Sequence, residues 1–117
     1  MNQPITLPIL AKIIQPLNSR KGDDWGKQKV TGISTDTRTL KEGEVFIALR
    51  GENFDGHHFV ESAIEVGASA LIVSQDFSGN LPPEVPQFYV ENTLSAYQQI
   101  AHWWRQQYKI PVIGITG

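Results

Sequence analysis

From residue 45 onward the chain alternates short apolar runs with stretches of helical spacing, and this alternation restricts the fold more than any other feature. Val45 to Leu49 is a dense apolar run and reads as a strand. His57 to Val66 carries Phe59, Val60, Ala63, Ile64 and Val66 mostly on one helical face, and Gly67 stands where a helix C-terminus is usually closed. Ala68 to Ser74 is the next buried strand. Asp76 to Pro86 holds Gly79, Pro82, Pro83 and Pro86, too many breakers for an element, before Gln87 to Val90 resumes as a strand. The longest helix opens at Glu91 or Asn92, with Leu94, Tyr97, Ala101, Trp104 and Tyr108 as its sheet-facing stripe. Ile110 to Ile115 closes the chain as a strand. The pattern predicts an α/β fold: a small single domain with a mixed sheet flanked by helices.

The first part of the chain is less regular. Leu7, Leu10, Ala11 and Ile14 recur at helical spacing, with Thr6 able to cap and Pro8 tolerated in the first turn. Gln15 to Lys29 is polar and rich in Gly, Asp and Lys, and reads as a loop anchored by Leu17 and Trp25. Val30 to Ser34 is a short strand, joined to the run at Val45 through the turn-like cluster Lys41-Glu42-Gly43-Glu44.

Composition removes several function classes. With 117 residues the chain suffices for one compact domain and is too short for a complete two-substrate ligase with separate lobes. Hydrophobic residues at 40% and charged residues at 19% are those of an ordinary globular domain. A net charge of -2 leaves no broad basic footprint, so no nucleic-acid partner is expected. Without cysteine there is neither a disulfide frame nor a thiolate metal site. No secretory signal and no run of roughly 20 apolar residues occurs, so no membrane role and a cytoplasmic location are expected.

Two polar connections concentrate the chemistry. Ser34-Thr35-Asp36-Thr37-Arg38-Thr39 packs four hydroxyls, a carboxylate and a guanidinium into six residues after a strand. Hydroxyls and backbone N–H groups at such a turn can bind a uracil edge or phosphate oxygens, and Arg38 can pair with a diphosphate. The same residues also make a local Asx or hydroxyl turn, with Arg38 bonded to Asp36. The second connection is Arg50-Gly51-Glu52-Asn53-Phe54-Asp55-Gly56-His57-His58, with two glycines that permit tight turns or close approach to a ligand. It offers either an anion site at the start of the next helix or a connection capped by Asp55 and shaped by Gly51 and Gly56. Adjacent His57 and His58 diverge on a helix, so no metal site is expected there. Trp103 and Trp104 are read as core and rim packing. Neither a Ser-His-Asp arrangement nor a close carboxylate pair is present, and no catalytic residue is assigned.

Taken in order, these segments resemble the Mur ligases, the ATP-dependent amide-forming enzymes of peptidoglycan synthesis. Ser34-Thr35-Asp36-Thr37-Arg38 followed by Lys41-Glu42-Gly43-Glu44-Val45-Phe46-Ile47-Ala48 resembles the family's first motif. Gly51-Glu52-Asn53-Phe54-Asp55-Gly56-His57 resembles the second. Glu42 stands where Pro is common, and His58 replaces a common acidic residue. Val112-Ile113-Gly114-Ile115-Thr116-Gly117 is similar to the strand that runs into the ATP loop, which makes Gly117 the first ATP-binding residue. The wording of the second motif, with Thr37, resembles the member that joins D-alanyl-D-alanine to UDP-N-acetylmuramoyl-tripeptide. A ligase adding the third amino acid and a non-enzymatic α/β ligand-binding module are the alternatives.

The resemblance implies a UDP-muramoyl-peptide-binding N-terminal domain over residues 1–109 and the first strand of a truncated ATP-binding domain over 110–117. It implies that Thr35, Thr37 and Arg38 flank the UDP pocket on one side and Gly51, Glu52, Asn53, Asp55 and His57 on the other. ATP and Mg2+ belong, by the same implication, to the full-length enzyme, where ATP activates the tripeptide carboxylate as an acyl phosphate. This fragment alone is expected to bind neither and to be inactive.

Overall fold

The computed structural model describes residues 5–20, 29–51, 55–77 and 85–107. In chain order these form β1 (Ile5–Thr6), α1 (Leu7–Ile14), β2 (Asn18–Arg20), β3 (Lys29–Val30), β4 (Gly32–Ser34) and β5 (Glu44–Ile47). A 3-10 turn (Gly56–Phe59), α2 (Val60–Val66), β6 (Ala70–Ser74), β7 (Gln87–Val90) and α3 (Thr93–Gln107) follow. The main sheet has the order β2-β7-β6-β5-β4, and a second, two-stranded sheet pairs β1 with β3. Strands β4 to β7 run parallel and β2 joins the edge antiparallel, which is the mixed sheet the sequence predicts.

Alternation along β5 shows how the sheet separates two cores. Val45 and Ile47 face Leu7, Leu10 and Ile14 of α1 and Ala96 and Ile100 of α3. Phe46 and Ala48 face Val60 and Ala63 of α2, with Leu40 beside them. Covered on both faces, β6 is buried at every position, the expected state of a central parallel strand. Helix α1 begins as its sequence predicts: the Thr6 hydroxyl accepts from the Ile9 N–H at 3.4 Å. Helix α2 ends at Gly67, whose φ of 107° is the left-handed conformation a side chain would strain.

Several expectations need correction. The loop expected over residues 15–29 contains β2, which has no hydrophobic pattern and exists because β7 offers it an edge. Leu17 is no anchor: its side chain is exposed, and its N–H bonds to the Tyr89 carbonyl at 2.8 Å. Trp25 lies outside the described residues. The strand expected over residues 30–34 is broken at Thr31, with Lys29–Val30 in one sheet and Gly32–Ser34 in the other. The helix expected from His57 starts as a 3-10 turn, and Phe59 and Val66 are exposed while Val60 and Ala63 are buried. On α3 the buried face is Thr93, Ala96 and Ile100 rather than the Leu94–Tyr97–Ala101 stripe; Leu94 and Tyr97 are exposed. Ala96 and Ile100 belong to the core cluster, while Trp104 of the expected stripe packs against it. Trp103 and Trp104 are half-buried against the core, as read. The expected strand Ile110–Ile115 and Tyr108 lie outside the described residues.

Candidate functional site

Because β4, β5, β6 and β7 are parallel, their carboxyl ends open on one edge of the sheet, the edge where α/β proteins hold ligands. Both polar connections leave from it, after adjacent strands.

Asp36 organises the first. Its backbone carbonyl accepts from the N–H groups of Thr39 (3.2 Å) and Leu40 (3.0 Å), and Ser34 Oγ donates to the same carbonyl at 2.9 Å. Its carboxylate accepts from the Arg38 N–H (2.8 Å) and grips the Arg38 guanidinium through Nε (3.1 Å) and Nη2 (2.8 Å). The Arg38 hydrogen bonds hold the Asp36 carboxyl below its ordinary range, and the Arg38 pKa is raised in return. Leu40, buried, pins the turn into the α2-side core. The local-turn reading of this loop is therefore the one observed for Asp36 and Arg38. It leaves the side-chain hydroxyls of Thr35 and Thr37 without a hydrogen bond among the described residues.

The described polar side chains Asp55 and His57 of the second connection bond within the protein. Asp55 caps the 3-10 turn, accepting from the His57 N–H at 3.0 Å and meeting His57 Nδ1 at 2.7 Å. The other ring nitrogen, Nε2, accepts from the Ser74 N–H at 2.9 Å. A nitrogen that accepts from an amide carries no proton, so Nδ1 bears it and donates it to Asp55; the contact is a hydrogen bond of a neutral ring. Phe77 stacks on the same ring with centroids 5.2 Å apart. His57 is 7% exposed, whereas His58 faces solvent. Gly56 is required by close approach: a Cβ there would lie 2.9 Å from the Leu49 nitrogen and 3.0 Å from its oxygen.

Arg50 ties this connection to the end of β6. Its guanidinium reaches Asp76 Oδ1 at 2.9 Å and Asp55 Oδ2 at 3.5 Å. Hydrogen bonds from Arg50, then Ser74, hold the Asp76 carboxyl down at about 2. Burial pushes the Asp55 carboxyl up, and the hydrogen bonds from His57 with the Arg50 charge outweigh it, so its pKa is lowered. The Arg50 pKa is raised, chiefly by Asp76.

A cavity of about 430 Å³ opens beside the first connection, lined by Thr35, Asp36, Thr37 and Arg38 with Phe46, Leu49 and Phe59. The structure thus brings together Thr35, Thr37 and Arg38, as the sequence expects. Asp55 and His57 do not line this cavity: His57 is buried, and half-buried Asp55 is held by His57 and Arg50. Gly51 is exposed, and Glu52, Asn53 and Gly117 lie outside the described residues. Sequence reasoning missed the apolar wall: Leu49 reads as the end of a strand and Phe59 as part of a core face. The exposure of Phe59 at 41% beside this cavity is visible only in three dimensions. Among the described residues no three or more His, Asp and Glu side chains converge to hold a metal ion.

Residues 29–105 match the model of the Mur ligase family, catalytic domain. The chain belongs to the Mur ligase family. It is 51% identical over 89 residues to the UDP-N-acetylmuramoyl-tripeptide--D-alanyl-D-alanine ligase of Synechocystis, covering 76% of this chain and 19% of that protein. A UDP-N-acetylmuramoyl-L-alanyl-D-glutamate--2,6-diaminopimelate ligase of Aquifex aeolicus is 37% identical over 92 residues, covering 77% of this chain and 18% of that one. The crystal structure of MurF from Acinetobacter baumannii superposes with a TM-score of 0.73 at 30% identity, over 91% of this chain and 22% of that chain. MurF from Thermotoga maritima in complex with ADP gives 0.53 at 28% identity, over 63% and 16%. Likeness to the D-alanyl-D-alanine-adding Mur ligases is thus the stronger of the two. The chain spans about a fifth of the length of these curated relatives. Among its described residues no helix is long and apolar enough to cross a membrane.

Proposed function

We propose that this chain anchors the uridine diphosphate end of UDP-N-acetylmuramoyl-tripeptide for an ATP-dependent ligase that adds D-alanyl-D-alanine. One observation carries the reading: the hydroxyls of Thr35 and Thr37, without a hydrogen bond among the described residues, stand beside a cavity with an apolar wall, at the carboxyl edge of the parallel strands. Hydroxyls suit the polar edge of a uracil and the wall suits its face; Arg38 adds a cation at the rim. Gly51, Glu52 and Asn53 are proposed as the second flank of the pocket, with Asp55 and His57, which do not line the cavity, holding that connection in place.

In this reading residues 1–109 are the substrate-anchoring domain and residues 110–117 begin an ATP-binding domain, with Gly117 at the start of its loop. ATP, when bound there with Mg2+, supplies the activation of the tripeptide carboxylate. The anchoring domain holds the opposite end of that substrate. Fixing it confines the distant carboxylate near its reaction partners and lowers the entropy cost of the step. An ATP-dependent reaction of this kind places the protein in the cytoplasm.

Calorimetry with UDP-N-acetylmuramoyl-tripeptide tests the reading. Arg38→Ala is expected to weaken binding roughly tenfold, the scale of a lost charge-assisted contact. Unchanged affinity in both Arg38→Ala and Thr37→Val removes this cavity from the substrate site.

A further inference from the structure

Given the uridine diphosphate reading of the cavity, on which this inference rests, we propose that Asp36 is a positioning residue. It occupies one fork of the Arg38 guanidinium, made by Nε and Nη2, and so presents the other, made by Nη1 and Nη2, to two oxygens of the diphosphate.

A guanidinium fans its N–H groups in one plane, so it can meet an oxyanion side-on and another end-on at the same time. Asp36 takes the side: Oδ1 accepts from Nε at 3.1 Å and Oδ2 from Nη2 at 2.8 Å. The second N–H of Nη2 and those of Nη1 make no hydrogen bond among the described residues. One N–H from each of these nitrogens runs parallel, which is the fork that matches two phosphate oxygens. Arg38 lines the cavity together with Thr35 and Thr37, so an oxyanion held end-on lies beside their hydroxyls.

The aim of Asp36 comes from the core. Its N–H donates to Ser34 Oγ at 3.1 Å, and its carbonyl accepts from Ser34 Oγ at 2.9 Å and from the Leu40 N–H at 3.0 Å. Leu40 is buried, so the backbone that carries the carboxylate is fastened on both sides. Its Oδ1 also accepts from the Arg38 N–H at 2.8 Å, which fixes the carboxylate itself. Arg38 has no support of that kind, because its side chain is 87% exposed. A long side chain at such exposure samples many rotamers, and a ligand that needs one of them has to freeze the rest. Asp36 freezes them before the ligand arrives.

Charge alone argues for the opposite role. The Arg38 hydrogen bonds keep Asp36 ionised, and a carboxylate repels a nearby diphosphate. A loop that attracts its ligand by charge only would bind more tightly without that carboxylate; a loop that works through an aimed fork binds more weakly. Asparagine at position 36 separates the two. Its oxygen still accepts the Arg38 N–H and keeps the turn, but it has no charge and one acceptor atom where the carboxylate has two.

UDP is titrated calorimetrically into the 117-residue chain, unsubstituted and carrying Asp36→Asn, Arg38→Ala, Arg38→Lys or Asp36→Asn with Arg38→Ala. The Arg38 Nε–H signal is followed by NMR without ligand. Asp36→Asn is expected to lower UDP affinity about threefold and to speed exchange of the Nε–H with water. Arg38→Lys loses about tenfold, as Arg38→Ala does, because lysine keeps the charge and has no fork. The double variant binds no more weakly than Arg38→Ala alone, since Asp36 acts through Arg38. An Asp36→Asn protein that binds UDP as tightly as the unsubstituted chain, or more tightly, overturns the proposal. So does an unchanged Nε–H signal, an Asp36→Asn loss that persists beside Arg38→Ala, or full affinity in Arg38→Lys. If Asp36→Asn does not fold, Asp36→Ser, whose hydroxyl can also accept the Arg38 N–H, replaces it under the same criteria. An unsubstituted chain that binds no UDP defeats the uridine reading and this role of Asp36 with it, whereas UDP binding that ignores Asp36→Asn defeats the role alone.

Discussion

Two loops leave neighbouring strands on the same edge of this sheet, and they divide the polar work differently. In the loop after β4, Asp36 absorbs the local donors, and the Thr35 and Thr37 hydroxyls, without a hydrogen bond among the described residues, stand beside a cavity. In the loop after β5, Asp55, His57 and Arg50 bond to one another and to the end of β6, turned away from that cavity. Polar residues of similar density thus serve opposite ends. Among the described residues, the first loop keeps hydroxyls without a hydrogen bond, whereas Arg50, Asp55 and His57 of the second are engaged with the protein itself.

The comparison can be broken at its anchors first. Leu40 is what fastens the receiving loop to the core, and Leu40→Ala is expected to cost about 3 kcal/mol, the usual range for a buried leucine. Urea unfolding measures it; a loss under about 1 kcal/mol would mean the loop holds itself without the core. For the holding loop the equivalent is Gly56→Ala. There the added methyl meets backbone rather than a yielding side chain, and about 2 kcal/mol of destabilisation is expected.

Acid sharpens the same contrast. Asp76, paired with Arg50, titrates at about 2 in the folded protein, below the ordinary 3.8. A depressed carboxylate stabilises the fold above its unfolded value and ceases to do so as pH falls through the folded one. Unfolding midpoints should therefore decline as pH drops from about 4 toward about 2, and Asp76→Asn should flatten that decline. Asp36 and Asp55 are shifted in the same direction, so the variant removes part of the slope and not all of it. An unchanged slope would separate the Arg50–Asp76 pair from stability.

The smallest expected effect lies in the receiving loop itself. Thr37→Val removes a hydroxyl that bonds nothing among the described residues, so stability should stay within about 0.5 kcal/mol while UDP affinity drops about threefold. A change in stability without one in affinity would reverse the roles assigned to the loops.

Much of this was legible in the sequence, for identifiable reasons. The apolar runs at Val45 and Ala70 and the Gly67 stop gave the parallel core, because buried strands and left-handed caps have strong local signatures. The Thr35–Thr37–Arg38 grouping was legible as a cluster of functional groups. What stayed hidden depends on partners distant in sequence. Strand β2 is polar and is specified by β7, and Arg50 meets Asp76 across 26 positions. The α3 face was misread because Leu94 and Tyr97 outweigh Ala96 in hydrophobicity, whereas close helix–sheet packing favours the smaller side chain. His57 carries a ligand-like motif signature, and both its ring nitrogens are engaged, by Asp55 and by the Ser74 amide 17 positions away.

The central claim is that the loop after β4 receives a uridine diphosphate. Amide NMR of the chain titrated with UDP addresses it most directly. The signals of Thr35, Thr37, Arg38 and Phe59 are expected to move together and saturate, with the Ser74 amide held in place by His57. Saturable binding that leaves those four unmoved, or no binding at all, would contradict it.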